Sequence, residues 1–201
     1  PLMVVRLLFD SLELSEEADI HQAKDLSIIQ EKLNHLDQIA GRILDFGKSR
    51  EAFRVQCKIH EIMNDAALLV RLKLDQSQVT MTMNNLGFDC LVFVDKGQIQ
   101  QALLNLILNA LGAMPDGGHL TLETSVDDGK WVRILVKDTG GGISEEFQQR
   151  IFDSFLTARV GGTGLGLTIS KRILRAHDGD LELMESSSQG TVFRISLPIA
   201  K

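Results

Sequence analysis

The chain has 201 residues, 44% of them apolar, which suits one soluble domain of ordinary size with a smaller appendage. Its formal net charge is −6 and its basic residues are scattered, which excludes the basic footprint that a nucleic-acid binder uses to displace counterions. No apolar run reaches the ~18 residues of a membrane span, because Asn105 and Asn109 interrupt the best candidate at 102–114, and no basic-then-apolar leader opens the chain; these residues are expected to be cytoplasmic and to make no membrane contact, although the full-length protein can carry an anchor elsewhere.

Two segments meet near residue 52. In the first, Leu2, Val5, Phe9 and Leu12 recur at helical spacing, and 19–22 offers a polar break. Leu26, Ile29, Leu33, Leu36, Ala40, Ile43 and Gly47 then alternate steps of three and four, a heptad seam. Two such helices bury too little surface to stand alone. Residues 1–52 are therefore expected to form a helical hairpin that pairs with a second copy as a four-helix bundle, the alternative being packing onto its own chain.

Residues 53–201 mix helices and strands. The pattern predicts a helix over 59–72, a half-buried strand from Val79 to Met83, and a helix over 96–114 with Ile99, Leu103, Leu106, Ala110 and Ala113 on its core face. Pro115-Asp116-Gly117-Gly118 stops that helix. A hairpin follows, turning at 127–130, then a helix near 144–151, a Gly-rich stretch, a helix over 165–176 and a closing hairpin around 188–190. Helices interleaved with hairpins predict an α+β domain, an antiparallel-dominated sheet covered on one face. Cys57 and Cys90 lie far apart in sequence and read as two unpaired thiols.

Three features carry chemistry. Asn105 and Asn109 are four apart and share a helix face beside the apolar stripe; alone, the pair reads equally as a helix–helix hydrogen bond. Asp138-Thr139-Gly140-Gly141-Gly142 follows a strand, and its glycines let backbone approach a flat ligand closely, although by itself this is a common turn. Gly161-Gly162-Thr163-Gly164-Leu165-Gly166 opens a helix, where backbone N–H groups and the helix terminus suit phosphate. It is neither a Walker loop, lacking Gly-Lys-Ser/Thr, nor a dinucleotide fingerprint.

In this order, 105–110, 138–142, Ile151-Phe152-Asp153-Ser154-Phe155 and 162–166 resemble the N, G1, F and G2 boxes of sensor histidine kinases, whose ATP domain shares the Bergerat α/β-sandwich fold with gyrase-type ATPases. The resemblance spans the chain, from the heptad segment, similar to the family's dimerisation and phosphoacceptor hairpin, to the last strand at Gly190-Thr191-Val192-Phe193. It implies a homodimeric ATP:protein-histidine phosphotransferase of a two-component system, with ATP and Mg²⁺ as cofactors and a response-regulator receiver domain as next acceptor. It further implies that Asn109 offers its amide oxygen to Mg²⁺ with Asn105 supporting the metal, and that Asp138 accepts from the adenine amine beside Gly140 and Gly142. On the same resemblance, Thr191 is expected to add a second adenine contact, and Gly162, Thr163, Gly164 and Gly166 to wrap the phosphates as a lid. It likewise implies that Arg159 steadies the γ-phosphoryl group and that Phe152 and Phe155 anchor the lid by packing on the domain.

Gyrase-like relatives place a glutamate where this chain has Asn105, and a carboxamide is no general base at neutral pH, so transfer is expected rather than rapid hydrolysis. The family's phosphoacceptor motif, His-Glu-x-x-Asn-Pro, is expected just before Pro1; none of His21, His35, His60, His119 and His177 stands in its place, and solvated or capping roles are expected for them, with a structural one for His177 at a helix end. Gly112 stands where some relatives carry a phosphate-binding lysine, which leaves more of the charge to Arg159. The competing readings are a regulatory nucleotide-binding module without phosphotransfer and a gyrase-like ATPase.

Overall fold

The computed structural model describes residues 52–85, 90–156 and 164–200, which belong to the second of two units into which the chain divides, Glu51–Lys201. The helical hairpin expected before residue 53, with its dimer seam, lies outside the described residues.

The unit opens with a short strand, β1 (Val55–Lys58), that runs into helix α1 (Ile59–Gln76). β2 (Val79–Asn85) follows, then β3 (Leu91–Val94), which returns antiparallel to β1 with Val55 opposite Val94 and Lys58 opposite Leu91. This two-stranded ribbon is not anticipated by the sequence pattern. It brings the segments of the two cysteines together although they are far apart in sequence: Cys57 sits opposite Val92, and the Ile59 N–H donates to the Cys90 carbonyl. Cys57 is a free thiol, and burial pushes it up from its ordinary value.

Helix α2 (Lys96–Ala113) is the centre of the helical layer, packing against α1, the later helix α4 (Gly166–Ala176) and the sheet. That position explains why its apolar surface is wider than one stripe. Ala102, Ile107 and Leu111 are buried with the expected Ile99, Leu103, Leu106 and Ala110, whereas Ala113, expected in the core, is only half-buried. Asp95 caps α2, accepting from the Gln98 N–H at 3.1 Å. The Asp95 N–H in turn donates to His177 Nε2 at 3.0 Å, and His177 Nδ1 lies 2.8 Å from the Ile173 carbonyl. A carbonyl only accepts, so the ring proton sits on Nδ1. His177 is thus fully buried with both nitrogens bonded, tying the end of α4 to the start of α2. For this residue the structural role expected at the helix end holds and a solvated one does not.

The main sheet runs β2-β4-β5-β7-β6, with β4 (Gly118–Asp127), β5 (Trp131–Asp138), β7 (Gly190–Pro198) and β6 (Asp180–Ser187) antiparallel in turn. β2 lies parallel to β4 at the edge. A parallel neighbour needs a crossover connection, and α2 supplies it. Alternation holds along the central strands: Leu120, Leu122, Thr124, Val132, Ile134, Val136, Phe193, Ile195 and Leu197 are buried under the helices. Their neighbours Glu123, Arg133, Lys137 and Arg194 line the other face, where Lys137 pairs with Glu123 and Arg194 with Glu182. β2 departs from the expected half-buried strand, since only Val79 is buried at this edge and Met83 is exposed. The helix expected over 144–151 is also shorter, one turn at α3 (Glu145–Gln148) followed by turns through 155.

Candidate functional site

The strand register places Leu120, Asp138, Thr191 and Ser186 in one row across β4, β5, β7 and β6, at one end of the sheet. Asp138 follows Val136 by two residues and so shares the helix-covered face. Its Oδ1 accepts from the Gly140 N–H at 2.9 Å, which fixes the carboxylate's orientation. Thr191, 3% exposed, stands beside it with its hydroxyl 3.3 Å from that of Ser186.

The loop leaving β5 is strapped down at both ends. The Gly141 N–H donates to the Ala113 carbonyl at the end of α2, and the Ile143 N–H donates to Ser186 Oγ at 2.8 Å. Both expected glycines are required by what surrounds them. A Cβ on Gly140 would lie 2.6 Å from the Ala113 carbonyl oxygen, and one on Gly142, whose φ is +73°, would lie 1.9 Å from the Ser187 carbonyl oxygen. Gly142→Ala is therefore expected to lower stability by about 3 kcal/mol, roughly 10 °C in a thermal melt, through strain and clash together. An unchanged melting temperature would mean that the loop does not lie against β6.

Asn105 and Asn109 are both half-buried on the side of α2 between this loop and the start of α4. Asn105 Nδ2 donates to Ser170 Oγ at 3.2 Å and to the Gly166 carbonyl at 3.4 Å. From Asn105 through Asn109 to Ala113 the helix climbs ~12 Å. One wall therefore carries an amide end, beside the N-terminus of α4, and a carboxylate end, beneath the glycine loop. Gly166 packs its α-carbon side toward Asn105, where a Cβ would meet Asn105 Cγ at an ordinary 3.9 Å, so space alone does not demand glycine there.

Of the expected lid, Gly164 has φ +65°, and a Cβ on it would lie 2.4 Å from the Phe155 carbonyl carbon; its carbonyl accepts from the Phe155 N–H at 3.0 Å. Arg159, Gly162 and Thr163 lie outside the described residues. The two phenylalanines divide. Phe152 lies under the Lys171 ammonium, 4.1 Å from its ring centre, and its carbonyl accepts from Thr168 Oγ1. Phe155, expected to anchor by packing, is 67% exposed, and its backbone N–H bonds the Gly164 carbonyl. Sequence reasoning missed Ser170 and Ser186, which fix Asn105 and the glycine loop; only their partners in space reveal them. A groove of about 550 Å³ lies elsewhere, between α1 and β2, lined by Leu68, Arg71 and Met81 among others, and none of the described site residues borders it.

Residues 94–201 match the family described as histidine kinase-, DNA gyrase B-, and HSP90-like ATPase. Among curated proteins, the signal transduction histidine-protein kinase AtoS of Escherichia coli (strain K12) is 28% identical over 199 residues, covering 99% of this chain and 33% of that protein. Histidine kinase P4 of Formosa agariphila is 30% identical over 191 residues, covering 89% of this chain and 14% of that protein. The chain thus spans a third or less of these two relatives. Among solved structures, full-length ShkA in complex with AMPPNP superimposes with a TM-score of 0.80 at 25% identity, covering 92% of this chain and 40% of that one.

Proposed function

Since this chain belongs to the histidine kinase-, DNA gyrase B-, and HSP90-like ATPase family, as a sensor histidine kinase, we propose that its cleft binds Mg·ATP and presents the γ-phosphoryl group, in a homodimer, to the histidine expected upstream of Pro1, from which it passes to the receiver domain of a response regulator. The observation that carries the reading is the wall itself: a fixed carboxylate at the sheet end and paired carboxamides on α2, with the N-terminus of α4 beside them.

The residues fit the groups assigned to them. Asp138 presents an acceptor to a purine amine, and the tightly held Gly140–Gly142 loop leaves the ring a flat approach. Asn109 and Asn105 offer neutral oxygens, which a hard cation such as Mg²⁺ accepts while taking its remaining ligands from water and phosphate. When bound, the ion draws charge from the phosphates. Gly164 and Gly166 are the described residues assigned to the phosphates, a role expected by sequence of Gly162, Thr163 and Arg159 as well, and the amide at 105 supplies no base to activate water. Phosphate is thereby held for a better nucleophile.

The test uses full-length protein containing this chain, incubated with radiolabelled Mg·ATP. Acid-labile, base-stable label on protein is expected, with little free phosphate. Steady release of free phosphate without labelled protein would instead support a gyrase-like ATPase, and ATP binding with neither product a regulatory module.

A further inference from the structure

Ser170 is the single polar side chain on the buried face of α4, among Ile169, Ile173 and Leu174, and it is wholly inaccessible. Its hydroxyl lies 2.9 Å from the Gly166 carbonyl and 3.4 Å from the Ala102 carbonyl. Both neighbours can only accept, so the one hydroxyl proton goes to a carbonyl and the oxygen is left to accept from Asn105 Nδ2, 3.2 Å away. The Gly166 carbonyl, 3.4 Å from the same nitrogen, demands a donor there too. Two partners thus settle which edge of the Asn105 carboxamide carries nitrogen, and they leave its oxygen on the opposite edge.

We propose that Ser170 is a positioning residue: from the first turns of α4 it orients the Asn105 carboxamide so that its oxygen, not its nitrogen, faces the metal–phosphate end of the cleft. This deepens the functional reading above and rests on it, because it takes Asn105 to serve the metal. With the hydroxyl removed, only a bond at the long limit would hold the amide, and the flipped amide would present N–H groups to a cation. The same hydroxyl joins α4, into which the lid runs, to α2, so the orientation of Asn105 is set by the segment that follows the lid.

The experiment measures, by calorimetry on the full chain, the Mg²⁺ concentration that half-saturates ATP binding, alongside ADP binding in chelator and thermal melting. Ser170→Ala is expected to raise the Mg²⁺ requirement about tenfold, the scale of losing a partner that orients a metal ligand, while chelator-bound ADP affinity stays within about twofold. Ser170→Thr, which keeps a hydroxyl, should return the requirement toward wild type even if it melts earlier. In an Asn105→Ala background, Ser170→Ala should add nothing. An unchanged Mg²⁺ requirement in Ser170→Ala, or an equal loss of metal-dependent and metal-free binding, overturns the proposal. If Asn105→Ala itself leaves the requirement unchanged, the metal assignment of Asn105 falls, and this inference with it; nucleotide binding through Asp138 would stand.

Discussion

Asn109→Ala is expected to weaken Mg²⁺-dependent ATP binding by about 100-fold, the upper range for perturbing a metal's ligand set, while adenosine binding stays near wild type. The asymmetry follows from place. Asn109 lies one turn of α2 from Asn105 and one from Ala113, which contacts the glycine loop, so it serves the middle of the wall rather than its purine end. Helix α2 cannot shift to compensate, since Leu106, Ala110 and Leu111 around this position are buried. Magnesium holds strictly to its ligand geometry, so a shortened side chain is replaced by water rather than by a neighbour. Calorimetry with and without chelator separates the two effects. Normal Mg·ATP binding by the variant would remove Asn109 from the metal.

The second large effect is expected at the base. The wild-type chain should prefer ATP to GTP by about 100-fold or more, and Asp138→Ala should bring the two within about tenfold. Adenine offers an amine where guanine offers a carbonyl. A carboxylate accepts from the first and repels the second, and it cannot rotate to find another donor because the Gly140 N–H holds Oδ1 at 2.9 Å. Thr191, packed beside it and almost fully buried, restricts the alternatives further. Comparable affinities for ATP and GTP in the wild type would take Asp138 out of its role.

Much of this wall is legible before any coordinates. The pairing of Asn105 with Asn109 needs only the helical repeat, and Asp138 at a strand's end before three glycines needs only alternation and the stereochemistry of glycine. What stays hidden is whatever depends on distant partners. β1 and β3 are four residues each, separated by more than thirty positions, too short to show a period and paired only because α1 and β2 bring them together. β2 alternates in residue type as expected, yet its burial is decided by its place at the sheet edge, where Val79 is buried, Met81 and Thr82 are half-buried and Met83 is exposed. The helix near Ser144 gives way after one turn although its residues favour helix: beyond Gln148 the backbone bonds span three residues, Arg150 N–H to the Phe147 carbonyl and Asp153 N–H to the Arg150 carbonyl, and the chain turns through 149–155. Ser170 reads as an ordinary small residue on an amphipathic helix until Asn105 is seen opposite it, 65 positions away in sequence.

The wall's identity as a nucleotide site is tested most directly by a crystal structure of the chain with Mg²⁺ and a non-hydrolysable ATP analogue. The adenine amine is expected within hydrogen-bond distance of the Asp138 carboxylate, and the metal on the Asn109 amide oxygen. An analogue seated elsewhere, in the groove between α1 and β2 for instance, with Asp138 and Asn109 untouched, would contradict it.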